Sequence, residues 1–292
     1  MEYKICNSII TVTISSLGGE PLGIEGADGT KYLWTGSKEY WPGSAPHLFP
    51  FIGRLYEERY IYDGVSYPLE IHGFLKSSEM ETEEYGEDYL ILSLNSNEET
   101  KRKYPFDFNL KIEYRLREST LSIVFKVTNL DEKTMLFAIG GHPGFNVPLE
   151  KGLKFEDYIL EFSEKATPKR AAPTPSNLMN GEFLNFPLKN GTRIPLDHGL
   201  FDADAIILKD VPRSVTLKSD KSQRAVRVDY PDFKYIGFWH TVKSDAPFVC
   251  IEPWTALQGY DGVVQQIEEN EDMISLKTKE EYKNEWTITI IQ

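Results

Sequence analysis

The sequence predicts an all-β protein, built as an antiparallel sandwich or barrel. Three observations predict it. Apolar and polar residues alternate along most of the chain. Turn signals such as Asp-Gly and Asn-Gly separate the alternating runs, and convincing helical patterns are nearly absent. Because few helices are available to connect parallel strands, we expect neighbouring strands to pair antiparallel. With no low-complexity linker and no internal repeat, residues 1–292 are expected to form a single domain.

The clearest element is a hairpin in the middle of the chain. Apolar and polar residues alternate over 108–116 and again over 121–127, with a short polar turn between them. A second hairpin is expected over 59–69, where Asp63 and Gly64 separate two β-rich flanks. Further strands are predicted at 10–14, 89–94, 214–218, 225–230, 235–240 and 286–291. Two short helices are also predicted, at 37–40 and 263–269.

Composition excludes several classes of function. The net charge of −13 repels nucleic acid and anionic membranes, so neither is expected as a partner. No apolar run approaches the roughly 20 residues needed to span a bilayer, and the first residues contain no apolar signal core. The two cysteines, Cys6 and Cys250, have no metal-ligand spacing. We therefore expect a cytoplasmic protein without a metal or cofactor, acting on a small molecule.

Three segments contain residues suited to acid–base chemistry. His142 lies in GGHPGFNVP (140–148), where glycines allow close approach of other groups and the following proline favours an extended backbone. His72 follows an alternating segment in PLEIHGF (68–74). Glu252 lies in the apolar strand FVCIEPW (248–254), where a carboxylate is costly unless it is paired or poised for chemistry. A buried salt bridge to Arg54 or Lys209 is the structural alternative for Glu252.

Other residues are candidates for substrate binding. Arg54 lies among apolar residues and needs either a sugar oxygen or an internal ion pair as its partner. Asp202 and Asp204 are two residues apart and are suited to binding sugar hydroxyls, or are part of a polar loop. The aromatic candidates for the cavity wall are Trp254, Trp239 and Phe145. Cys250 is expected to face the same way as Glu252, because side chains two apart on a strand share a face.

Five motifs, in order along the chain, resemble the aldose 1-epimerase (galactose mutarotase) superfamily, and in particular its LacX-type branch. They are PFIGRL (50–55), HGF (72–74), HPGFN (142–146), FDAD (201–204) and CIEPW (250–254). The resemblance implies a large antiparallel β-supersandwich with a groove across one sheet. It also implies an enzyme that interconverts the α and β anomers of an aldose by opening and reclosing its ring.

The resemblance also implies roles for individual residues. Glu252 resembles the catalytic base, His142 the acid, and His72 the second histidine that holds and polarises the sugar. Arg54 resembles the binding arginine, and one of Asp204 and Asp202 the binding aspartate, with Asp204 favoured. The implied partner is a monosaccharide, phosphorylated or not, and Lys76 is a candidate to reach a phosphate.

Two competing functions remain open at this stage. One is a non-catalytic sugar-binding or regulatory protein on the same fold, because function does not follow from fold. The other is a glycoside hydrolase that uses Glu252 with Asp204 or Asp202, although that chemistry has no obvious use for two histidines.

Overall fold

The computed structural model describes residues 1–292 and consists mostly of antiparallel strands. The first twelve strands are β1 (Glu2–Cys6), β2 (Ile10–Ser15), β3 (Pro21–Gly26), β4 (His47–Leu48), β5 (Arg59–Tyr62), β6 (Val65–Pro68), β7 (Glu81–Tyr85), β8 (Tyr89–Asn95), β9 (Phe108–Arg117), β10 (Thr120–Asn129), β11 (Met135–Phe137) and β12 (Gly140–Gly141). The other twelve are β13 (Gly144–Asn146), β14 (Tyr158–Phe162), β15 (Lys169–Ala171), β16 (Phe183–Asn185), β17 (Arg193–Pro195), β18 (Ile206–Lys209), β19 (Ser214–Ser219), β20 (Ala225–Asp229), β21 (Tyr235–Trp239), β22 (Phe248–Trp254), β23 (Ile274–Leu276) and β24 (Glu281–Ile291). The one α-helix is α1 (Glu98–Lys103), and single 3₁₀ turns lie at Tyr56–Glu58, Leu75–Ser77, Phe155–Asp157, His198–Phe201 and Ile267–Glu269.

Two large sheets dominate this architecture. The nine-stranded sheet has the order β17-β14-β19-β20-β24-β10-β9-β8-β7. The eight-stranded sheet has the order β16-β15-β18-β21-β22-β12-β4, and β13 pairs with β22 outside this path. All named strand pairs are antiparallel, and the predicted all-β supersandwich class is confirmed. No helix is long and apolar enough to cross a membrane.

The predicted central hairpin is confirmed residue by residue. Strands β9 and β10 pair with Arg117 opposite Thr120, which leaves a two-residue turn. The apolar positions of β9, from Phe108 to Leu116, are buried, while the intervening positions are more exposed. The hairpin at 59–69 also forms, as β5 and β6.

The helix predictions are less successful. Residues 37–40 form bends instead of a helix, because the Ser37 N–H bonds the Trp41 carbonyl and closes a short loop before Pro42. Within 263–269 only the turn Ile267–Glu269 is helical. Helix α1 was missed. Its signal is a capping box. The Asn97 side chain accepts hydrogen bonds from the N–H groups of Glu99 and Thr100, and the Thr100 hydroxyl accepts one from the Asn97 N–H.

The hydrophobic core is a continuous cluster of 70 buried residues that includes side chains from both large sheets. Trp286 of β24 and Ile251 of β22 both belong to it. Because one core of this extent connects both sheets, we propose that residues 1–292 fold as one domain.

Candidate active site

A cavity of about 340 Å³ lies over the eight-stranded sheet. Strands β21 and β22 supply Trp239, Glu252 and Trp254 to its wall. Lys76 comes from the 3₁₀ turn Leu75–Ser77. Loops supply the rest of the wall: Trp41, Pro46, Gly53, Arg54, Ile71, His72, His142, Asp204, Ala205 and Gln258. The cavity therefore collects seven of the nine predicted site residues from six separate parts of the chain.

Glu252 and His142 form a close pair in this wall. Glu252 Oε2 lies 3.3 Å from His142 Nε2. Glu252 is 1% exposed and His142 8% exposed. Glu252 Oε1 and His142 Nδ1 are both buried without a hydrogen-bond partner. Since buried polar atoms normally have partners, two unpaired atoms in one pair are unusual for a purely structural contact.

Glycines allow the chain to bring His142 to this position. A Cβ added at Gly140 would lie 2.8 Å from the Pro253 carbonyl oxygen, and one at Gly141 would lie 2.6 Å from the Trp286 ring. The absence of side chains therefore allows β12 to lie tightly between β22 and the neighbouring sheet. The His142 N–H then bonds the Pro46 carbonyl at 3.0 Å, which fixes the backbone beside Glu252.

His72 lies in a turn whose backbone is held in the left-handed region. Its φ of 65° is unusual for a residue with a side chain. Two reciprocal bonds support it: the His72 N–H donates to the Gly53 carbonyl at 2.9 Å, and the Gly53 N–H donates to His72 Nδ1 at 3.1 Å. Because Nδ1 accepts, the proton of neutral His72 lies on Nε2. His72 is therefore a donor at its other nitrogen.

The same turn brings His72 close to His142. The two rings lie 5.4 Å apart between centroids, edge to face. Burial, followed by the charge of His142, lowers the pKa of His72 well below its ordinary value. His72 is neutral at pH 7 as a result, and serves as a hydrogen-bond donor without carrying charge.

Electrostatics favour the neutral forms of Glu252 and His142. Burial, and then the nearby Asp204 carboxylate, raise the pKa of Glu252 well above its ordinary value. The Trp254 indole N–H, which forms no hydrogen bond of standard geometry, opposes this shift more weakly. Burial lowers the pKa of His142 to about 4. Both shifts favour a carboxylic acid beside a neutral imidazole over a carboxylate beside an imidazolium.

Asp204, and not Asp202, lies in the cavity wall. Asp204 has a φ of 67° at the start of β18, and its carboxylate forms no ion pair. Asp202 is exposed at the end of the 3₁₀ turn His198–Phe201 and does not line the cavity. The two share no face because the chain turns between them rather than extending as a strand. The binding role expected of Asp202 is therefore not supported.

The salt bridges considered as alternatives for Glu252 do not form. Arg54 makes no ion pair, and its side chain lies at the exposed part of the cavity wall. Lys209 Nζ instead lies 3.7 Å from the centre of the Phe183 ring. The ionisable group closest to Glu252 by geometry is His142.

Aromatic rings form one side of the cavity. Trp239 and Trp254 lie where the sequence predicts them. The expectation for Phe145 is wrong: it is fully buried in the core, because β13 pairs Phe145 with Val249 and so turns it away from the face of Glu252. Trp41 takes its place, with its ring 5.0 Å from that of His142. Trp41 follows directly after the predicted helix at 37–40 and is not among the residues singled out from the sequence.

Sequence analysis also missed Gln258 and only touched on Lys76. A Cβ added at Gly53 would lie 2.4 Å from Gln258 Cβ, so the glycine lets the glutamine enter the wall. Lys76 Nζ donates to the Ile71 carbonyl at 2.6 Å and has no carboxylate partner, since Glu70 pairs with Lys103. Burial lowers the pKa of Lys76.

Comparisons with known proteins agree with this arrangement. The family model described as aldose 1-epimerase matches residues 1–277. The plasmid-encoded protein LacX of Lactococcus lactis subsp. lactis is 39% identical over 267 residues, covering 88% of each chain. A galactose mutarotase related enzyme from Lactobacillus acidophilus has a TM-score of 0.94 at 32% identity, covering 100% of this chain and 98% of that one. A galactose mutarotase-like protein from Lactobacillus casei has a TM-score of 0.94 at 30% identity, covering 99% and 100%.

The family match and the relatives above span almost the whole chain, including every segment that contributes to the cavity. This chain belongs to the aldose 1-epimerase family.

Proposed function

We propose that this protein is an aldose 1-epimerase that interconverts the α and β anomers of an aldohexose. The observation that carries the proposal is the Glu252–His142 pair, 3.3 Å apart in the wall of a cavity of about 340 Å³. A cavity of this size is typical of small-molecule sites. The two reacting oxygens of an aldose, the C1 hydroxyl and the ring oxygen, share one carbon. An acid and a base that serve them must therefore be neighbours.

The reaction needs one proton removed and one donated at each step. Glu252, as carboxylate, removes the proton of the C1 hydroxyl, while His142, as imidazolium, donates a proton to the ring oxygen and the C1–ring oxygen bond breaks. The open aldehyde rotates about its C1–C2 bond. Closure on the other face returns both protons and gives the other anomer. Positioned acids and bases contribute roughly 10²–10⁴-fold each.

The resting protonation state is compatible with these roles. Neutral imidazole with carboxylic acid holds the same single proton as imidazolium with carboxylate. Transfer between Glu252 Oε2 and His142 Nε2, which are 3.3 Å apart, interconverts the two forms without exchange with solvent. The polar groups of a bound sugar favour the charged form by replacing lost solvation.

The remaining residues hold the sugar. Neutral His72 donates from Nε2 to a sugar oxygen near C1, and Asp204 and Arg54 bind hydroxyls further along the ring. The tryptophans Trp41, Trp239 and Trp254 offer apolar surfaces to the faces of the ring, as is common for carbohydrate ligands.

Polarimetry on freshly dissolved α-D-glucose and α-D-galactose tests the proposal. We expect wild type to accelerate mutarotation, and Glu252→Gln and His142→Ala to remove the acceleration while keeping the wild-type circular dichroism spectrum. Sugar binding without acceleration would identify a sugar-binding protein instead. Release of nitrophenol from nitrophenyl glycosides, dependent on Glu252 and Asp204, would identify a glycoside hydrolase.

A phosphorylated sugar is the alternative form of the substrate, and Lys76 is the observation behind it. Its ammonium group lines the cavity without a carboxylate partner. Comparing glucose with glucose 6-phosphate, in wild type and Lys76→Met, distinguishes the two substrates. A preference for the phosphate that Lys76→Met removes would assign Lys76 to the phosphate.

We also propose a cytoplasmic location, supported by two cysteines that are both free thiols. Fractionation of the producing cell, with the protein followed by antibody, tests this location.

A further inference from the structure

Behind the acid–base pair lies a thiol that the proposed reaction does not use. Cys250 is fully buried on β22, two residues before Glu252 and on the same face of the strand. It is a free cysteine. One ligand atom from each of His142, Cys250 and Glu252 lies within 4.8 Å of the other two.

We propose that His142, Cys250 and Glu252 form a binding site for a thiophilic divalent cation, with Zn²⁺ as the best fit, and that the cation inhibits the enzyme. The inhibition rests on the proposed epimerase function, whereas the metal binding does not. No metal takes part in the proposed reaction, so the cation is a reversible blocker rather than a cofactor.

The geometry is close to that of a three-ligand zinc site. Zinc bonds to nitrogen and oxygen of roughly 2.0–2.1 Å place two ligands of a tetrahedral ion about 3.3 Å apart. His142 Nε2 and Glu252 Oε2 already lie 3.3 Å apart. The thiol then requires only a modest side-chain movement, since all three ligand atoms lie within 4.8 Å of each other. The cavity leaves the fourth position open to water.

Two buried atoms without partners, one on each of these residues, provide the second argument. Glu252 Oε1 and His142 Nδ1 are buried and have no partner in the protein. Both residues are more than nine-tenths buried. No hydrogen bond holds either side chain through these two atoms, so no such bond has to break when Nε2 and Oε2 bind a cation.

Charge balance favours a divalent ion. A dication with one thiolate, one carboxylate and one neutral imidazole is neutral overall, which limits the cost of burying it. A thiol binds zinc as thiolate, so binding releases the thiol proton of Cys250 to solvent and affinity rises with pH. Thiolate and imidazole ligands select Zn²⁺ or Cd²⁺ over Mg²⁺ and Ca²⁺, which prefer oxygen.

Inhibition follows from the shared ligands. The lone pairs that bind the cation are those that Glu252 and His142 need for proton transfer. A bound cation therefore prevents both from accepting a proton, even though sugar still enters the cavity.

The test uses Cd²⁺, whose bond to a thiolate gives an ultraviolet charge-transfer band, and untagged Cys6→Ser protein. Because the chain has two cysteines, the band in this variant arises only from Cys250. We expect one equivalent of Cd²⁺ to produce the band, Zn²⁺ to displace it, and Cys6→Ser/Cys250→Ser to lose it. Zinc affinity should fall at least about tenfold on Cys250→Ser. Mutarotation should be inhibited by Zn²⁺ in Cys6→Ser and restored by a chelator.

Each outcome decides a separate statement. Absence of the band from folded Cys6→Ser at tenfold excess Cd²⁺ would overturn the site, and no unstable variant at position 250 is needed for that result. Equal zinc affinity with and without the Cys250 thiol would also overturn it. Metal binding without inhibition would overturn the statement that the cation inhibits the enzyme. Metal binding by a protein that accelerates mutarotation of no sugar would support the metal site and refute the proposed function.

Discussion

Two pairs of histidines in this molecule have similar ring separations and opposite surroundings. The ring centroids of His72 and His142 lie 5.4 Å apart in the cavity wall. Those of His198 and His240 lie 5.1 Å apart, and His198 begins the 3₁₀ turn His198–Phe201. In the second pair, His240 Nδ1 donates to the Thr241 carbonyl at 2.7 Å, and His198 Nδ1 donates to His240 Nε2 at 3.1 Å. Each of these nitrogens has a partner within the protein.

The cavity pair leaves nitrogens open instead. His142 Nδ1 has no hydrogen-bond partner, and His142 Nε2 faces Oε2 of Glu252, whose other oxygen also has no partner. His72 uses only Nδ1. The remaining histidine, His47, lies deep in the core and away from the cavity. Its Nε2 donates to the Tyr114 hydroxyl at 2.7 Å, while its Nδ1 has no partner. Unused hydrogen-bonding capacity beside a cavity, rather than proximity of histidines, is what separates a candidate site from a structural contact.

The largest expected effect tests whether Glu252 and His142 act as one unit. Glu252→Gln and His142→Ala should each lower kcat by roughly 10²–10⁴-fold, because each removes one side of the proton exchange. The double variant should be little worse than either single variant, since the second group has nothing to exchange with. Polarimetry measures the rates. Multiplicative losses would mean that the two groups act independently, contrary to the shared-proton mechanism.

The structural pair should respond in the opposite sense. His240→Ala should lower the free energy of unfolding by roughly 2–4 kcal/mol, because it leaves a cavity and removes the partner of His198. The kcat per folded molecule should remain that of wild type. Urea titration followed by fluorescence measures the first quantity and polarimetry the second. A lower kcat without a loss of stability would show that His240 acts in the reaction and not in the fold.

Acidification tests the contribution of His240 to stability. Burial lowers the pKa of His240 below its ordinary 6.5 on folding, so the unfolded chain binds more protons between the two values. Stability from His240 is therefore present above pH 6.5 and lost as pH falls through its folded pKa. His240→Gln should flatten this part of the stability curve. An unchanged slope between pH 7 and pH 5 would show that His240 does not cause it.

The pH dependence of kcat concerns only Glu252 and His142. Activity requires a singly protonated pair, so it should fall about tenfold per pH unit below the pKa of His142, which is about 4, as a second proton binds. It should fall again at high pH, as pH rises through the raised pKa of Glu252. Stopped-flow polarimetry in buffers where circular dichroism confirms the fold measures the profile. Activity that stays constant as pH falls through this range, while the fold persists, would contradict the requirement for a singly protonated pair.

Sequence patterns predicted the fold class well because strand periodicity is local. The β9–β10 hairpin follows from alternation alone, and its register follows from a two-residue turn. The cavity depends on contacts between distant segments. Gly53 and Gln258 meet because a glycine leaves space, and no local pattern predicts which side chain fills it.

Phe145 and Trp41 also show that local sequence does not determine which side chains line the cavity. Phe145 was assigned to the cavity from its place beside His142, yet the pairing of β13 with β22 turns it into the core. Trp41 lies against the His142 ring, and no motif around it indicates that contact. Which face a residue presents depends on strand register after folding, and the motif alone does not determine it.

The smallest expected effect extends the comparison from histidines to carboxylates. Asp202 and Asp204 are two residues apart, but only Asp204 faces the cavity, from a backbone with φ of 67°. Asp204→Asn should raise KM by about tenfold or less, because it weakens one charge-assisted hydrogen bond to a sugar hydroxyl. Asp202→Asn, the matched control on an exposed carboxylate, should leave KM unchanged. Initial rates over a range of sugar concentrations measure both. Equal effects of the two substitutions would mean that long-range charge, and not contact in the cavity, determines sugar affinity.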